Sequence, residues 1–325
     1  MNCYEQVEGK EMKIFSFKNT VILMMFILVS SCFTGIENTK KITEKDVAKV
    51  VQSQGTSSGA ETQYNKVSVD SFPAWEKGRR FFVVDKNISR VFTPSVNYDL
   101  DTLQLAGKVL RYLGYEESSV LDNEPKVNLI FSDGINEYYY ASGKTVEEIK
   151  RKKLMLSVPF MVDLALVDEY KRQLVGKEFY IRTSIWYNAN GEMIPGRKFI
   201  NVKIKDVLPG DKVFPLSVSF VSRDGTAANV YMSTKQSSVQ NRLFDNLFSE
   251  KDIRQNYSSI SDETWTNIVN GNVAIDMTKE ECRLALGTPN NIQERPTYDG
   301  LQEYWFYSDG MYLVFFDGLL KQYRK

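Results

Sequence analysis

The feature that most constrains the fold is a two-residue alternation of apolar and other side chains in short segments after residue 70. It occurs at residues 81–84, 127–131, 179–187, 199–207 and 216–220. This alternation is typical of β-strands, in which successive side chains point to opposite faces of a sheet. Tyr and Phe, which supply most of the 13% aromatic content, also favour strands. The sequence therefore predicts a mostly β chain.

Glycine and aromatic residues recur at matching positions in two parts of this region. Gly78 precedes two aromatic residues at positions 81 and 82, and Gly176 precedes two more at positions 179 and 180. Each copy later contains an Asp-Gly pair, beginning at Asp133 in the first and at Asp224 in the second. Asp-Gly between apolar runs indicates a hairpin, because glycine adopts the positive φ of the turn without steric cost. The pattern indicates an internal repeat.

Each copy has the composition of a small all-β unit of about five short strands. We predict two tandem small β barrels of the SH3-like type at residues 71–145 and 176–250, and a small immunoglobulin-like sandwich is the alternative. Residues 146–175 form a predicted helical connector. Thr145 and Glu148 make a capping box at its start, and the apolar density of the remainder suits a helix or a packed connector.

The amino-terminal segment has the organisation of an export signal. Lys13 and Lys18 precede an unbroken apolar run at residues 21–29, which is shorter than the roughly 20 residues of a membrane-spanning helix. Residues 1–11 place acidic groups ahead of the basic segment, so Met12 is the predicted start. We predict a signal peptide at residues 1–31.

Cys32 follows directly after this apolar run. Val29, Ser30 and Ser31 precede it, and this sequence resembles a lipobox of the permissive kind found in the Bacteroides group. The resemblance implies cleavage before Cys32 and a lipid, including palmitate, on its thiol. Residues 32–70 would then be a flexible stalk, since they contain a Ser, Gly and Thr-rich stretch.

The same resemblance implies an outer-membrane lipoprotein. Surface export in that group goes with acidic residues just after the cysteine, and this chain offers only Glu37 there. We therefore predict that the protein faces the periplasm, with surface exposure as the alternative.

Composition excludes several classes of function. The sequence contains no histidine, which removes Ser-His-Asp and Cys-His nucleophilic sites and His-ligated zinc. Lys plus Arg equals Asp plus Glu at 41 each, so no net charge attracts nucleic acid. Three scattered cysteines are too few for a thiolate metal site. We predict no cofactor, no metal, no nucleic-acid partner and no enzymatic activity.

A third unit is predicted at residues 259–325. Asp262 is the expected cap of a first helix, and Thr278 with Glu281 forms a capping box for a second, which Gly287 ends. Three strands follow at residues 303–307, 311–316 and 319–323. The predicted unit is a helix, a helix and a three-stranded sheet.

This last unit carries a family resemblance. Its motifs are Met277-Thr278-Lys279-Glu280-Glu281, Leu286-Gly287-Thr288-Pro289, Trp305-Phe306-Tyr307 and Phe316-Asp317-Gly318. They resemble the SmpA/OmlA lipoprotein domain, whose family includes an accessory lipoprotein of the outer-membrane barrel assembly machinery. The resemblance implies the fold, which a secreted β-lactamase inhibitor shares, and an envelope setting. Asp276 stands where the family usually has glycine.

The predicted function is a non-catalytic envelope lipoprotein that is held at the membrane through Cys32 and binds an envelope protein or peptidoglycan. Trp186, Tyr187, Trp305 and Tyr307 are the candidate binding surface, and packing in the core is the alternative for each. Cys282 is expected to be a buried core residue. The alternative functions are a carboxylate-dependent glycan hydrolase, suggested by acid pairs such as Glu280 with Glu281, and an inhibitor of an envelope enzyme.

Overall fold

The structure is a computed structural model, and it describes residues 63–94, 104–118, 124–234 and 242–325. The predicted signal peptide, Cys32 and most of the predicted stalk lie outside the described residues. Of the described residues, 38% are in strands and 21% in helices, which confirms the mostly β class. All of them belong to one compact unit, Ala60–Lys325.

The first sheet has six antiparallel strands in the spatial order β2-β5-β4-β3-β1-β6. Its strands are β1 (Arg80–Val83), β2 (Thr93–Pro94), β3 (Val109–Ser118), β4 (Lys126–Ser132), β5 (Glu137–Ala141) and β6 (Met161–Asp163). At the predicted Asp-Gly hairpin, the Asp133 carboxylate accepts the backbone N–H groups of Ile135 and Asn136. Gly134 there has a φ of 95°. The turn therefore forms as the sequence predicts.

The second sheet has seven strands in the order β13-β7-β10-β11-β12-β8-β9. Its strands are β7 (Glu178–Ile181), β8 (Ile185–Tyr187), β9 (Met193–Pro195), β10 (Ile200–Pro209), β11 (Leu216–Ser222), β12 (Ala227–Met232) and β13 (Phe248–Ser249). The strand β13 pairs with β7 as β6 pairs with β1, and β8 pairs with β12 as β2 pairs with β5. The two sheets thus share one strand order, to which the second adds β9.

The longest strand of each sheet is irregular at one point. In β3 the register shifts between Tyr112 and Gly114, and in β10 it shifts between Ile204 and Asp206. Such bulges bend a strand and increase its local twist. Gly114, with a φ of 142°, provides the unusual backbone at the first bulge. Neither sheet closes into a barrel within the described residues.

Two helices lie in the connector, α1 (Val146–Lys152) and α2 (Leu164–Leu174). The Thr145 side chain accepts the backbone N–H of Glu148, which confirms Thr145 as the cap of α1. Between the helices, β6 joins the first sheet, so this segment is not only a helix or connector. Three residues are too few to show a recognisable alternation.

A short stretch before the terminal unit completes the second sheet. It contains α3 (Phe244–Leu247), which leads directly into β13. Phe248 is only 1% exposed and pairs with Ile181 of β7. The two-residue strand has no periodicity that a sequence pattern can reveal.

The terminal unit contains α4 (Asp262–Val269) and α5 (Lys279–Leu286), followed by a four-stranded antiparallel sheet. Its strands are β14 (Asn291–Thr297), β15 (Gly300–Phe306), β16 (Tyr312–Phe316) and β17 (Leu319–Arg324). The prediction of three strands is therefore wrong. All side chains of the edge strand β14 are exposed and one is Pro296, so the strand lacks the expected alternation.

The caps of the terminal helices are partly as predicted. Thr278 and Glu281 form the capping box of α5, and Gly287 ends that helix with a φ of 88°. Ser261, rather than Asp262, caps α4 by accepting the backbone N–H of Thr264. Serine and aspartate are about equally good caps, so their order in the sequence does not decide between them.

Each sheet has its own hydrophobic core. The first centres on Phe81 and Phe131, the second on Trp186 and Phe220, and the terminal one on Trp305, together with its neighbours on α5. Packing around Trp186 is tight, since a Cβ on Gly196 would lie 2.4 Å from the indole ring. The terminal unit adjoins the second through Phe199 and Trp265, whose stacked rings are 5.6 Å apart.

Candidate binding surface

The four aromatic residues predicted as a binding surface do not form one. Trp186 and Trp305 are each 1% exposed and belong to different cores, so the prediction is wrong for both. The Trp186 Nε1–H donates to the Thr183 carbonyl at 2.9 Å. The Trp305 Nε1–H donates to Glu303 Oε2 at 3.3 Å. Their alternative interpretation as core residues is the correct one.

The two tyrosines lie in separate units. Tyr187 is half-buried and packs edge-on against Tyr231, with ring centroids 4.7 Å apart. Tyr307 is also half-buried, and its hydroxyl donates to the Gly287 carbonyl at 3.3 Å, which joins the end of α5 to the sheet. Burial raises the pKa of Tyr307 above its ordinary value. Tyr307 therefore stabilises the fold.

Cys282 and the acidic residues beside it have structural positions. Cys282 is fully buried in α5, and burial followed by the charge of Glu281 raises the pKa of its thiol to about 12. The Glu281 carboxylate accepts the Thr278 backbone N–H at 2.7 Å as part of the cap. This pairing gives the carboxylate a structural use, and no hydrolytic role is needed to explain it.

The described residues contain neither a metal-binding cluster nor a membrane-spanning helix. Within the described ranges, no group of three or more Cys, Asp or Glu side chains is placed to hold a metal ion. Among the helices that the structure describes, none is long and apolar enough to cross a membrane.

The terminal sheet has two chemically different faces. Glu303 and Trp305 of β15 are buried on the face that carries α5, where Lys279 donates to the Glu303 carboxylate at 2.5 Å. Because successive side chains alternate, Tyr304 and Phe306 lie on the opposite face, which we call the outer face. The register places Tyr304 beside Val314, and Phe306 beside Tyr312.

The strand pairings define the whole outer face. Its residues are Asn291, Gln293, Arg295, Thr297, Gly300, Gln302, Tyr304, Phe306, Tyr312, Val314, Phe316, Leu319, Gln322 and Arg324. None of these 14 positions is Lys, Asp or Glu, although such residues flank them on the same strands. Aromatic side chains occupy the two middle strands, and glutamine and arginine lie on both sides.

The apolar part of the outer face is separate from the terminal core. Val314 is 6% exposed and lies between its cross-strand neighbours Tyr304 and Gln322. Tyr304, Phe306, Tyr312 and Phe316 are each partly exposed. None of the five belongs to the terminal core cluster. The strand register places them next to one another on β15 and β16.

Both arginines of the outer face have guanidinium groups that make no ion pair with a described residue. Arg295 lies across from Gln302, and Arg324 lies across from Tyr312. Both side chains are exposed, so these donors are available to a partner.

Sequence reasoning missed the outer face, although a signal for it exists. In β15 and β16 both alternate sets contain large apolar residues, because Tyr304 and Phe306 interleave with Trp305, and Val314 interleaves with Leu313 and Phe315. A small sheet that packs helices on one side needs only one such set. The apolar residues of the second set therefore indicate that the face without helices is a binding surface.

Comparison with known proteins gives no relative for this chain. No family model, no curated protein and no solved structure matches it. The outer face is therefore interpreted from its own chemistry.

Proposed function

We propose that this chain is a non-catalytic, lipid-anchored protein of the bacterial outer membrane that binds a partner protein through the outer face of its terminal sheet. The observation that carries the proposal is the composition of that face. It has aromatic residues at its centre, glutamine and arginine at its border, and no Lys, Asp or Glu among its residues.

This composition is that of a protein–protein interface. The centres of such interfaces are enriched in Tyr, Phe and Arg and depleted in Lys, Glu and Asp, because the latter are costly to desolvate. Large aromatic residues also supply most of the binding energy at interfaces. A soluble protein rarely leaves a contiguous apolar patch uncovered without such a use.

The anchor in the proposal rests on the lipobox-like sequence before Cys32. One acyl chain holds a protein to a membrane only weakly, so the stable attachment of a lipoprotein requires more than one chain on the cysteine. A chain anchored in this way would face the periplasm, and its flexible stalk would allow the terminal sheet to reach a partner.

We further infer that the terminal unit is an SmpA/OmlA-like domain and that the two preceding units are SH3-like. Support for the first is the capping box at Thr278 followed by the Gly287 stop and an antiparallel sheet. Support for the second is the strand order, in which the last strand of each unit pairs with its first. These inferences concern the fold and the envelope setting, and they do not identify a binding partner.

Capture of the partner tests the proposal. The lipidated protein, tagged at its carboxyl terminus, is purified from its own envelope after chemical cross-linking, with and without prior muramidase digestion. We expect a defined protein to co-purify whether or not the glycan is digested. The double substitution Tyr304→Ser with Phe316→Ser should reduce its recovery by about tenfold or more.

The matched control is Tyr298→Ser. Tyr298 is fully exposed at the β14–β15 turn of the same sheet but lies off the outer face, so its loss should leave recovery unchanged. Equal recovery with the double variant would refute the proposal. Recovery that disappears with muramidase digestion would assign the face to peptidoglycan instead.

The anchor is tested separately with Cys32→Ala. This variant should leave the membrane fraction, because the proposed attachment depends on that thiol. A variant that still pellets with membranes after a carbonate wash would contradict the lipoprotein interpretation.

A further inference from the structure

A cavity of about 540 Å³ lies at the junction of the first and second sheets, and we call it the seam cavity. Trp75 and Phe81 of the first core line one side, and Leu166, Val213 and Pro215 line the other. Its volume is within the range of ligand sites, which occur preferentially between structural units. Val213 is 64% exposed, so the cavity opens to solvent at that edge.

Two irregular segments of the chain form further walls of the seam cavity. Residues 68–69 and residues 155–157 both line it. The backbone N–H and C=O groups of these five residues make no hydrogen bond to any other described residue. Backbone groups left open beside an apolar cavity can pair with another extended chain, whose alternate side chains then enter the cavity.

The charged residues of the seam cavity restrict the charge of a ligand that can bind there. Asp70 and Asp163 are the charged residues that line it. Asp163 is fully engaged, since its carboxylate accepts three hydrogen bonds from Arg79, the shortest at 2.6 Å, and caps α2 by accepting the Ala165 N–H. The Asp70 carboxylate has no partner among the described residues, whereas the Asp70 carbonyl is fixed by the Trp75 Nε1–H at 3.0 Å. An anionic head group is therefore disfavoured, and a cationic group is favoured.

We propose that the seam cavity binds a short extended peptide with apolar side chains and a basic residue that pairs with Asp70. The apolar walls accept the side chains, the open backbone groups accept the main chain, and Asp70 selects the cation. A fatty acid would satisfy the apolar walls, but it would place its carboxylate near two acidic residues. This site is independent of the outer face.

Binding of two defined peptides to the purified protein lacking its lipid tests the proposal. The probes are acetyl-Val-Thr-Val-Leu-Lys-amide and the same peptide with Glu in place of Lys, measured by titration calorimetry and by Trp fluorescence. We expect the Lys peptide to bind about tenfold more tightly than the Glu peptide. Asp70→Asn should make the two affinities equal.

Two variants localise the site. Val213→Trp fills the open edge of the cavity and should abolish binding, whereas Leu208→Trp changes an exposed residue of β10 that does not line the cavity and should preserve it. The proposal is overturned if neither peptide binds at millimolar concentration, or if Asp70→Asn leaves the preference for Lys intact. It is equally overturned if palmitate binds and Val213→Trp removes that binding, because the cavity would then accept acyl chains. None of these results bears on partner capture by the outer face.

Discussion

The two faces of the terminal sheet use the same kinds of residue for different purposes. On the inner face, Trp305 and Phe315 pack at a centroid distance of 4.6 Å, and the guanidinium of Arg283 lies 4.8 Å above the Trp305 ring. On the outer face, Tyr304 and Phe316 have similar size and chemistry but remain partly exposed. The difference lies in what covers each face. Only the inner face has α5 against it.

This contrast separates stability from recognition within one element. An aromatic side chain that is buried on folding stabilises the unit, whereas one that stays partly exposed contributes little until a partner covers it. Substitutions at adjacent positions of one strand should therefore have opposite effects on folding and on binding.

Trp305→Ala should have the largest effect on stability. The substitution removes the largest side chain of the terminal core and leaves the Glu303 carboxylate without one donor, so we expect a loss of about 3–5 kcal/mol. Phe306→Ala, one position further and on the outer face, should cost on the order of 1 kcal/mol. Urea unfolding of both variants measures the difference. Equal losses would show that both faces are core.

Lys279→Met should have the next largest effect. Glu303 is 5% exposed and forms an ion pair with Lys279, so its carboxylate would keep the Trp305 donor but lose its counter-charge while buried, at a cost of about 3 kcal/mol. The double variant Lys279→Met with Glu303→Leu removes both charges and should recover most of this stability. Thermal unfolding of the single and double variants checks the prediction, and additive losses would contradict it.

Thr278→Ala should have a smaller effect. The threonine caps α5 and is exposed, so its loss should cost about 1 kcal/mol without altering the outer face. Thr278→Ser, which keeps the hydroxyl, is the control and should restore the stability. The two variants are compared by chemical denaturation, and no loss in Thr278→Ala would mean that the cap is dispensable.

The sequence predicts the capped helices and the hairpins because their signals are local. Thr278, Gly287 and the Asp-Gly turns specify a conformation within a few residues, so a pattern reveals them. Strands such as β6 and β13 depend instead on pairing with β1 and β7, which lie 82 and 67 residues earlier at Phe81↔Asp163 and Ile181↔Phe248. A segment of two or three residues carries no period of its own.

The binding surface was harder to predict than the fold. An alternating strand does not reveal which of its two faces meets the helices, and both faces of β15 carry aromatic residues. Large aromatic residues such as Trp186 and Trp305 suggested recognition by their chemistry, but their size makes them the residues that a core buries best. Deciding between the two uses requires the position of α5, which only the three-dimensional structure provides.

A further prediction concerns the chemical reactivity of the Cys282 thiol and not the stability of the protein. It lies on the α5 side of the sheet, fully buried, with a pKa raised to about 12 by burial. At pH 8 the thiol should therefore stay protonated and unreactive while the protein is folded, and it should react within seconds in urea. Mass spectrometry of the Cys282 peptide after brief treatment with iodoacetamide measures this. Rapid labelling of the folded protein would mean that the inner face opens readily.

The most direct test of the outer face as a binding surface is photo-cross-linking from two positions of the β14–β15 hairpin, one on the outer face and one at the turn. A benzophenone amino acid replaces Tyr304 on the outer face in one variant and Tyr298 at the exposed turn in another, and each is irradiated in intact cells. We predict a discrete covalent adduct with a second protein from position 304 and none from position 298. Adducts of equal yield from both positions, or none from either, would contradict the assignment of the outer face as the binding surface.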